Sequence, residues 1–311
     1  MSLTFELLDS LSLPGDPAKA NEDAFGHGKG AAVVIDGATP LGDSLMPGPS
    51  DAAWIAQFGA RRILAHLRDG DGARKALRGA MADAQKSFEA LRRHPPEEMW
   101  QTPCGSMMLA VLVDTEQPPP RARSAQEGEV AVAGPRASES RRGSIEFLSF
   151  GDCAALVRPE GGAVAVIGET FDKRAAEAQR AQAIAREKNL SPASGLSRPE
   201  FIGSLRATRN RVNSGNSWLF SPDAKAAAHA ARRLVKVMPG THLLLASDGF
   251  LALASDYGAY SADSLMQAAI KKGLKTLGDE LRAIEAGDAL GDKFPRFKKS
   301  DDATALLLRL S

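Results

Sequence analysis

Acidic residues in this sequence fall repeatedly at the ends of apolar runs. Asp36 closes Ala31 to Ile35, Asp248 follows Leu243 to Ala246 across Ser247, and Asp301 precedes Thr304 to Leu308. Asn21-Glu22-Asp23 stands just ahead of the Gly-rich stretch that leads into the first of these runs, and Gly151-Asp152 follows Ile145 to Phe150. A strand end is a rigid place from which to aim a carboxylate. Carboxylates crowded together without compensation repel one another and take up protons. Hard cations that prefer oxygen ligands, Mg²⁺ or Mn²⁺, relieve that repulsion. A single Asp-Gly after an apolar run is most often a turn. Two of them, with Asp301 ahead of a third run and an Asn-Glu-Asp and a Gly-Asp besides, are hard to read as independent turns, although sequence separation alone leaves their convergence open.

The elements that would carry these acids can be read from periodicity. Leu3 to Leu13 reads as a strand, and Ala31 to Ile35 as a second. Apolar residues at helical spacing follow over Asp51 to Leu67, with Asp51 placed to cap, and over Ala73 to Leu91, separated by Gly70-Asp71-Gly72 and closed by Pro95-Pro96. Short apolar runs bounded by Gly, Pro or Asp then suggest strands at Met107 to Val113, Ile145 to Phe150, Ala154 to Val157 and Ala163 to Ile167. Phe171 to Lys188 and Ala224 to Val235 read as helices, with an irregular, basic stretch between them, Asn189 to Phe220, that carries Arg206, Arg209 and Arg211. His242 to Ala246 is a buried-type strand, one or two helices fill Ser261 to Ala286, and Thr304 to Leu310 is a last strand.

Asp114 to Gly143 contains Pro118 to Pro120 and no Leu, Ile, Met or aromatic residue. Such a segment cannot bury enough apolar surface to offset its ordering entropy, so it reads as a long flexible loop between strands, with an interdomain linker as the competing reading. The same strand style on both sides favours the loop.

The chain has 311 residues, 39 Lys+Arg against 38 Asp+Glu, and a formal net charge of +1, with 43% hydrophobic and 25% charged residues. That is the composition of an ordinary globular protein with enough chain for a sizeable core. The balanced charge argues against non-specific binding to nucleic acid or anionic membrane. Met1 to Pro14 lacks a basic start and no apolar run approaches a membrane span, so a soluble cytoplasmic protein is expected. Cys104 and Cys153 are too few for a disulfide scaffold, and buried free thiols are expected. The five His form no metal-binding spacing, and Trp54, Trp100 and Trp218 read as packing residues.

The ordered series Asn21-Glu22-Asp23, Val34-Ile35-Asp36-Gly37, Pro103-Cys104-Gly105-Ser106, Phe150-Gly151-Asp152-Cys153, Ala246-Ser247-Asp248-Gly249 and Ser300-Asp301-Asp302-Ala303-Thr304 resembles the metal-dependent protein phosphatases of type 2C. No single block is specific; six in order across nearly the whole chain are. The resemblance implies one α+β domain over 1–311, a four-layer α-β-β-α sandwich of two stacked sheets flanked by helix pairs, with 189–220 as the variable flap. It also implies a site for two Mn²⁺ or Mg²⁺ ions and a weaker third. Asp36 would bridge the ions with the Gly37 carbonyl beside it, Asp248 and Asp301 would complete the catalytic core at the first ion, and Glu22 would reach the second mostly through water. Asp23 would support this shell and Asp152 would serve the third ion.

Two departures stand out. The family's phosphate-binding arginine falls at Ala18, with Lys19 next to it, and no His follows Asp36-Gly37 to act as general acid. The resemblance therefore implies a metal-dependent phosphomonoester hydrolase, a phosphoserine/phosphothreonine protein phosphatase using a metal-bridging hydroxide. Its substrate would be a phosphoprotein or a small phosphomonoester, gripped by Lys19, Arg206, Arg209 or Arg211. The other reading is a phosphatase-like regulatory or binding protein with little turnover: the lost arginine motivates it, and the retained Asp36, Asp248 and Asp301 oppose it.

Overall fold

The computed structural model describes residues 3–113, 129–130, 143–169, 179, 183, 199–296 and 298–311. Among these, two sheets form. One is five-stranded, in the order β1 (Phe5–Leu13), β11 (Ala303–Leu310), β10 (His242–Ala246), β7 (Ala154–Arg158), β8 (Ala165–Ile167). The other is six-stranded, in the order β2 (Asp23–His27), β3 (Ala31–Gly37), β4 (Gly105–Val113), β6 (Gly143–Phe150), β9 (Ala231–Val237), β5 (Glu129–Val130). Every pairing is antiparallel except β5 with β9.

The sheets stack face to face. Ala32, Val34, Met108, Ala110 and Phe147 of one meet Ala155, Val157, Leu243, Leu245, Leu306 and Leu308 of the other. The outer face of the six-stranded sheet is covered by α1 (Asp51–Arg68) and α2 (Ala73–Leu91), through Ile55, Ile63, Leu77 and Met81. The outer face of the five-stranded sheet is covered by α4 (Asp248–Ser255), α5 (Ala262–Lys272) and α6 (Leu274–Gly287), through Phe250, Leu265, Leu277 and Leu281. The result is the four-layer α-β-β-α sandwich expected. It explains why β3, β10 and β11 read as unbroken apolar runs: their side chains are buried on both faces, one against the opposite sheet and one against helices.

Three local readings change. Asp23–His27, expected as approach to a Gly-rich turn, is a strand that pairs with β3. The stretch expected to be irregular contains a helix, α3 (Pro199–Arg209). Ala224 to Val235, expected as one helix, divides into a 3₁₀ segment (Ala224–His229) and β9, which pairs with β6 along its length. At α1 the N-cap is Ser50, whose hydroxyl accepts from the amides of Ala52 and Ala53. Asp51 instead accepts from the amides of Leu45 and Met46, both at 2.8 Å. The readings of 114–142 and of 170–198 lie outside the described residues, apart from β5 and helical positions 179 and 183. Among the described residues no helix is long and apolar enough to cross a membrane.

Candidate metal centre

Strand register decides which ends meet. Asp36 at the end of β3 lies opposite Asp23 on one side and Ser106 on the other, and Met107 lies opposite Phe150. In the second sheet, Ala246 at the end of β10 lies opposite both Ala154 and Ala305. The end of β3, the β6–β7 turn, the β10–α4 turn and the start of β11 therefore share one rim of the sandwich. There a carboxylate oxygen from each of Asp36, Asp152 and Asp248 lies within 4.8 Å of the others.

The turns that deliver these acids are sterically demanding. Gly151 has φ of +69°, and a Cβ there would stand 2.1 Å from the Ser106 hydroxyl. The glycine lets the turn close so that Ser106 Oγ donates to Asp152 Oδ1 at 2.5 Å. A Cβ on Gly249 would stand 2.0 Å from the Asp302 carbonyl oxygen, so glycine is required for the β10–α4 turn to touch the start of β11. Asp248 occupies the first turn of α4, where the helix dipole favours a negative charge.

The electrostatics are those of acids without enough counter-charge. Asp36 is held well above the usual carboxylate range by burial, then by the charges of Asp23, Asp248 and Asp301 and a side-chain hydrogen bond with Asp248. Asp23, 5% exposed, is pushed up to about 8. Burial is the main cause, the Ser247 hydroxyl opposes it, and the charges of Asp301, Asp302 and Asp248 add to it. Ser247 Oγ donates to Asp23 Oδ2 at 2.8 Å, while Asp23 Oδ1 is buried without a hydrogen-bond partner among the described residues. Converging hard oxygen ligands, one of them orphaned and the set under mutual repulsion, fit a divalent cation of the Mg²⁺ or Mn²⁺ class.

The remaining expected residues are placed as follows. Glu22 accepts from Thr39 Oγ1 at 2.6 Å and from Ser50 Oγ at 2.5 Å, so its carboxylate links the loop after β3 to the cap of α1. Gly37 donates its amide to the Glu22 carbonyl at 3.0 Å. Asp301 accepts from Lys298 Nζ at 2.7 Å. Ala18 and Lys19 are exposed in a turn in which both amides are bound by Asp16. Arg206 donates to the Leu41 carbonyl at 2.7 Å and lies 4.0 Å over the Trp100 ring. Arg209 lies against the thiol of Cys104, which burial pushes up and Arg209 pulls down. Arg211 is exposed. Both cysteines are buried and free.

Three residues of this region went unassigned in the sequence. Asp302 accepts from the amides of Gly15 at 2.7 Å and Glu22 at 2.5 Å, anchoring the loop that carries Lys19. Ser247 joins Asp23 to the β11 backbone, also accepting from the Thr304 amide at 2.9 Å. Lys298 brings an ammonium to the acids: burial lowers its pKa, but the charge and hydrogen bond of Asp301, with the charges of Asp36 and Asp248, more than offset this and raise it. Adjacency to Asp301 and to Asp248 was the available signal for Asp302 and Ser247; nothing local marked Lys298.

No protein-family model matches this sequence, and no curated protein matches it either. Solved structures do. The Mycobacterium tuberculosis serine/threonine phosphatase PstP/Ppp superposes with TM-score 0.52 at 14% identity, covering 99% of each chain. The catalytic domain of the serine/threonine protein phosphatase PstP, in complex with two manganese ions, superposes with TM-score 0.50 at 13% identity over 99% of each chain. The photosystem II phosphatase PBCP does so with TM-score 0.50 at 15% identity, over 99% of this chain and 98% of its own. The fold of this chain is that of the type 2C, metal-dependent protein phosphatases.

Proposed function

We propose that the chain is a divalent-metal-dependent phosphomonoester hydrolase that acts on phosphoserine and phosphothreonine in proteins. One observation carries this reading: Asp36, Asp152 and Asp248, from three separate elements, bring carboxylate oxygens within 4.8 Å of one another on the rim of a phosphatase-type fold. A similar fold in a phosphatase that holds two manganese ions supports the same use of this rim.

In this reading Asp36, Asp248 and Asp301 are the catalytic core that holds Mn²⁺ or Mg²⁺, with the Gly37 carbonyl beside them. Two ions are taken, with Asp152 serving a weaker third. Glu22 and Asp23 set the outer shell, Glu22 fixed by Thr39 and Ser50, and Asp23 by Ser247. The bound cations supply Lewis acidity for activating water and neutralising charge on the transferring phosphoryl group. One of Lys19, Arg206, Arg209 and Arg211, with Lys19 favoured, supplies positive charge for the phosphate oxygens in place of the family arginine, whose position is Ala18 here. The buried free thiols of Cys104 and Cys153 suit a reducing compartment and a cytoplasmic protein.

The test is phosphate release from a phosphothreonine peptide by the full chain, stripped of metal and then supplied with Mn²⁺. Release that needs Mn²⁺ and falls about a hundredfold or more in Asp36→Asn is expected, since loss of a shared ligand should cost several kcal/mol. If the wild type released no phosphate with Mn²⁺ or Mg²⁺, from this peptide or an aryl phosphate, the chain would be a phosphatase-like binding protein.

A further inference from the structure

Carboxylate oxygens of Asp36, Asp152 and Asp248 lie within 4.8 Å of one another, and the Asp301 carboxylate, whose charge also acts on Asp36, accepts from the Lys298 ammonium at 2.7 Å. Asp36 and Asp248 act on the same ammonium from further away. Lys298 thus sits in the field of the three acids that, in the proposed reading, hold the first metal ion. It is also well fixed. Arg296, 6% exposed, binds the Asp288 carboxylate at 2.7 Å and the carbonyls of Asp288, Phe294 and Lys299, and so pins the backbone on both sides of Lys298. From the other side Arg282 donates to the Asp301 carbonyl at 2.8 Å. With both ends held, the ion pair bridges only three positions along the chain, and the ammonium stays at high effective concentration beside Asp301.

We propose that Lys298 is a tethered cation which a divalent ion must displace from Asp301, and that it thereby sets how tightly this chain loads its metal. An ammonium and a divalent cation compete for the same carboxylate oxygens, and each satisfies part of the charge that Asp36, Asp248 and Asp301 leave uncompensated. Lys298 is therefore a partial counter-charge at a rim that stays acidic before metal arrives. Metal binding is an exchange of one cation for another, and it frees the Lys298 side chain to turn away from Asp301.

This inference rests on the metal-dependent reading above, and the experiment separates the two. Mn²⁺ is titrated calorimetrically into the full chain, stripped of metal, as wild type, Lys298→Met and Lys298→Arg. Lys298→Met should bind Mn²⁺ about tenfold or more tightly than wild type, because a charge-assisted hydrogen bond no longer has to be broken, while Lys298→Arg keeps the weaker affinity. Thermal melts of the same metal-free proteins supply the second readout: Lys298→Met should melt lower than wild type without metal and gain more from saturating Mn²⁺. Wild type and Lys298→Met binding Mn²⁺ with the same affinity and the same gain in melting temperature would overturn the proposal and leave the metal site standing. Should neither protein bind Mn²⁺, the metal-dependent reading falls, and this proposal with it. If Lys298→Met does not fold without metal, the comparison passes to Lys298→Gln, with the same expected tightening and the same overturning result.

Discussion

Ser247 and Asp23 join the two sheets: the Ser247 hydroxyl, at the start of α4, donates at 2.8 Å to a carboxyl oxygen of Asp23, the first residue of β2. The same hydroxyl accepts from the Thr304 amide at 2.9 Å, so a single oxygen couples β2, β11 and the β10–α4 turn that presents Asp248. Ser247→Ala would leave a buried carboxyl and a buried amide each short of a partner. A loss of about 1–3 kcal/mol in unfolding free energy is expected, measurable by urea denaturation of the metal-free protein.

Asp23 also makes metal-free stability depend on pH in a defined direction. Its pKa rises from an ordinary 3.8 to about 8 on folding, chiefly through burial. Between those values the folded state binds more protons than the unfolded state, so stability falls as pH rises and levels off above about pH 8. Asp36, also held up by burial and neighbouring charge, adds to the same slope. Melting temperatures of chelator-treated protein should decline over this range, and Asp23→Asn should flatten the decline. A melting temperature that climbs with pH would contradict the assignment.

Gly249 is the tightest backbone contact beside the site, with a hypothetical Cβ only 2.0 Å from the Asp302 carbonyl oxygen. Gly249→Ala must push the β10–α4 turn off β11 and move Asp248 with it. The expected loss is about 1–3 kcal/mol or more, as for overpacked sites generally. Mn²⁺-dependent turnover should fall with it, and unchanged melting and turnover would contradict the contact.

Much of this arrangement was readable in the chain. The strands buried on both faces announced themselves as apolar runs, and Asp36, Asp248 and Asp301 were conspicuous because each interrupts or borders one. What stayed hidden depends on partners far away in sequence. Ala231–Val237 carries Arg232, Arg233 and Lys236 after an Ala-rich run and reads as helix. It becomes a strand because β6 offers an edge and Glu146 takes the Arg232 guanidinium at 2.6 Å. Asp23–His27 is short and follows an acidic pair, so only its pairing with β3 reveals it. Lys298 lies in a run of basic residues that resembles a solvated loop, and its place among the acids follows from the Arg296 anchor.

The four cations proposed for phosphate should separate by role. Lys19 makes no ion pair with a described residue, on a loop held by Asp302. Lys19→Ala should raise KM for a phosphopeptide about tenfold with little change in melting temperature, as expected for a lost charge-assisted contact. Arg206 is already engaged by the Leu41 carbonyl and Trp100, so Arg206→Ala should lower stability as well as activity. If neither these variants nor Arg209→Ala and Arg211→Ala changed KM, the phosphate would be held without them, and Ala18→Arg should then improve the enzyme.

The most direct measurement of the central claim is p-nitrophenyl phosphate hydrolysis by the metal-stripped full chain as Mn²⁺ is added, for wild type and Asp248→Asn side by side. Asp248 is 6% exposed and shares the acidic cluster with Asp36 and Asp152. Saturable Mn²⁺-dependent hydrolysis is expected in the wild type. Asp248→Asn should show less than about a tenth of that rate, with a metal-free melting temperature no lower than wild type because one repelling charge is gone. Hydrolysis indifferent to Mn²⁺, or surviving in Asp248→Asn, would contradict metal-dependent catalysis at this cluster.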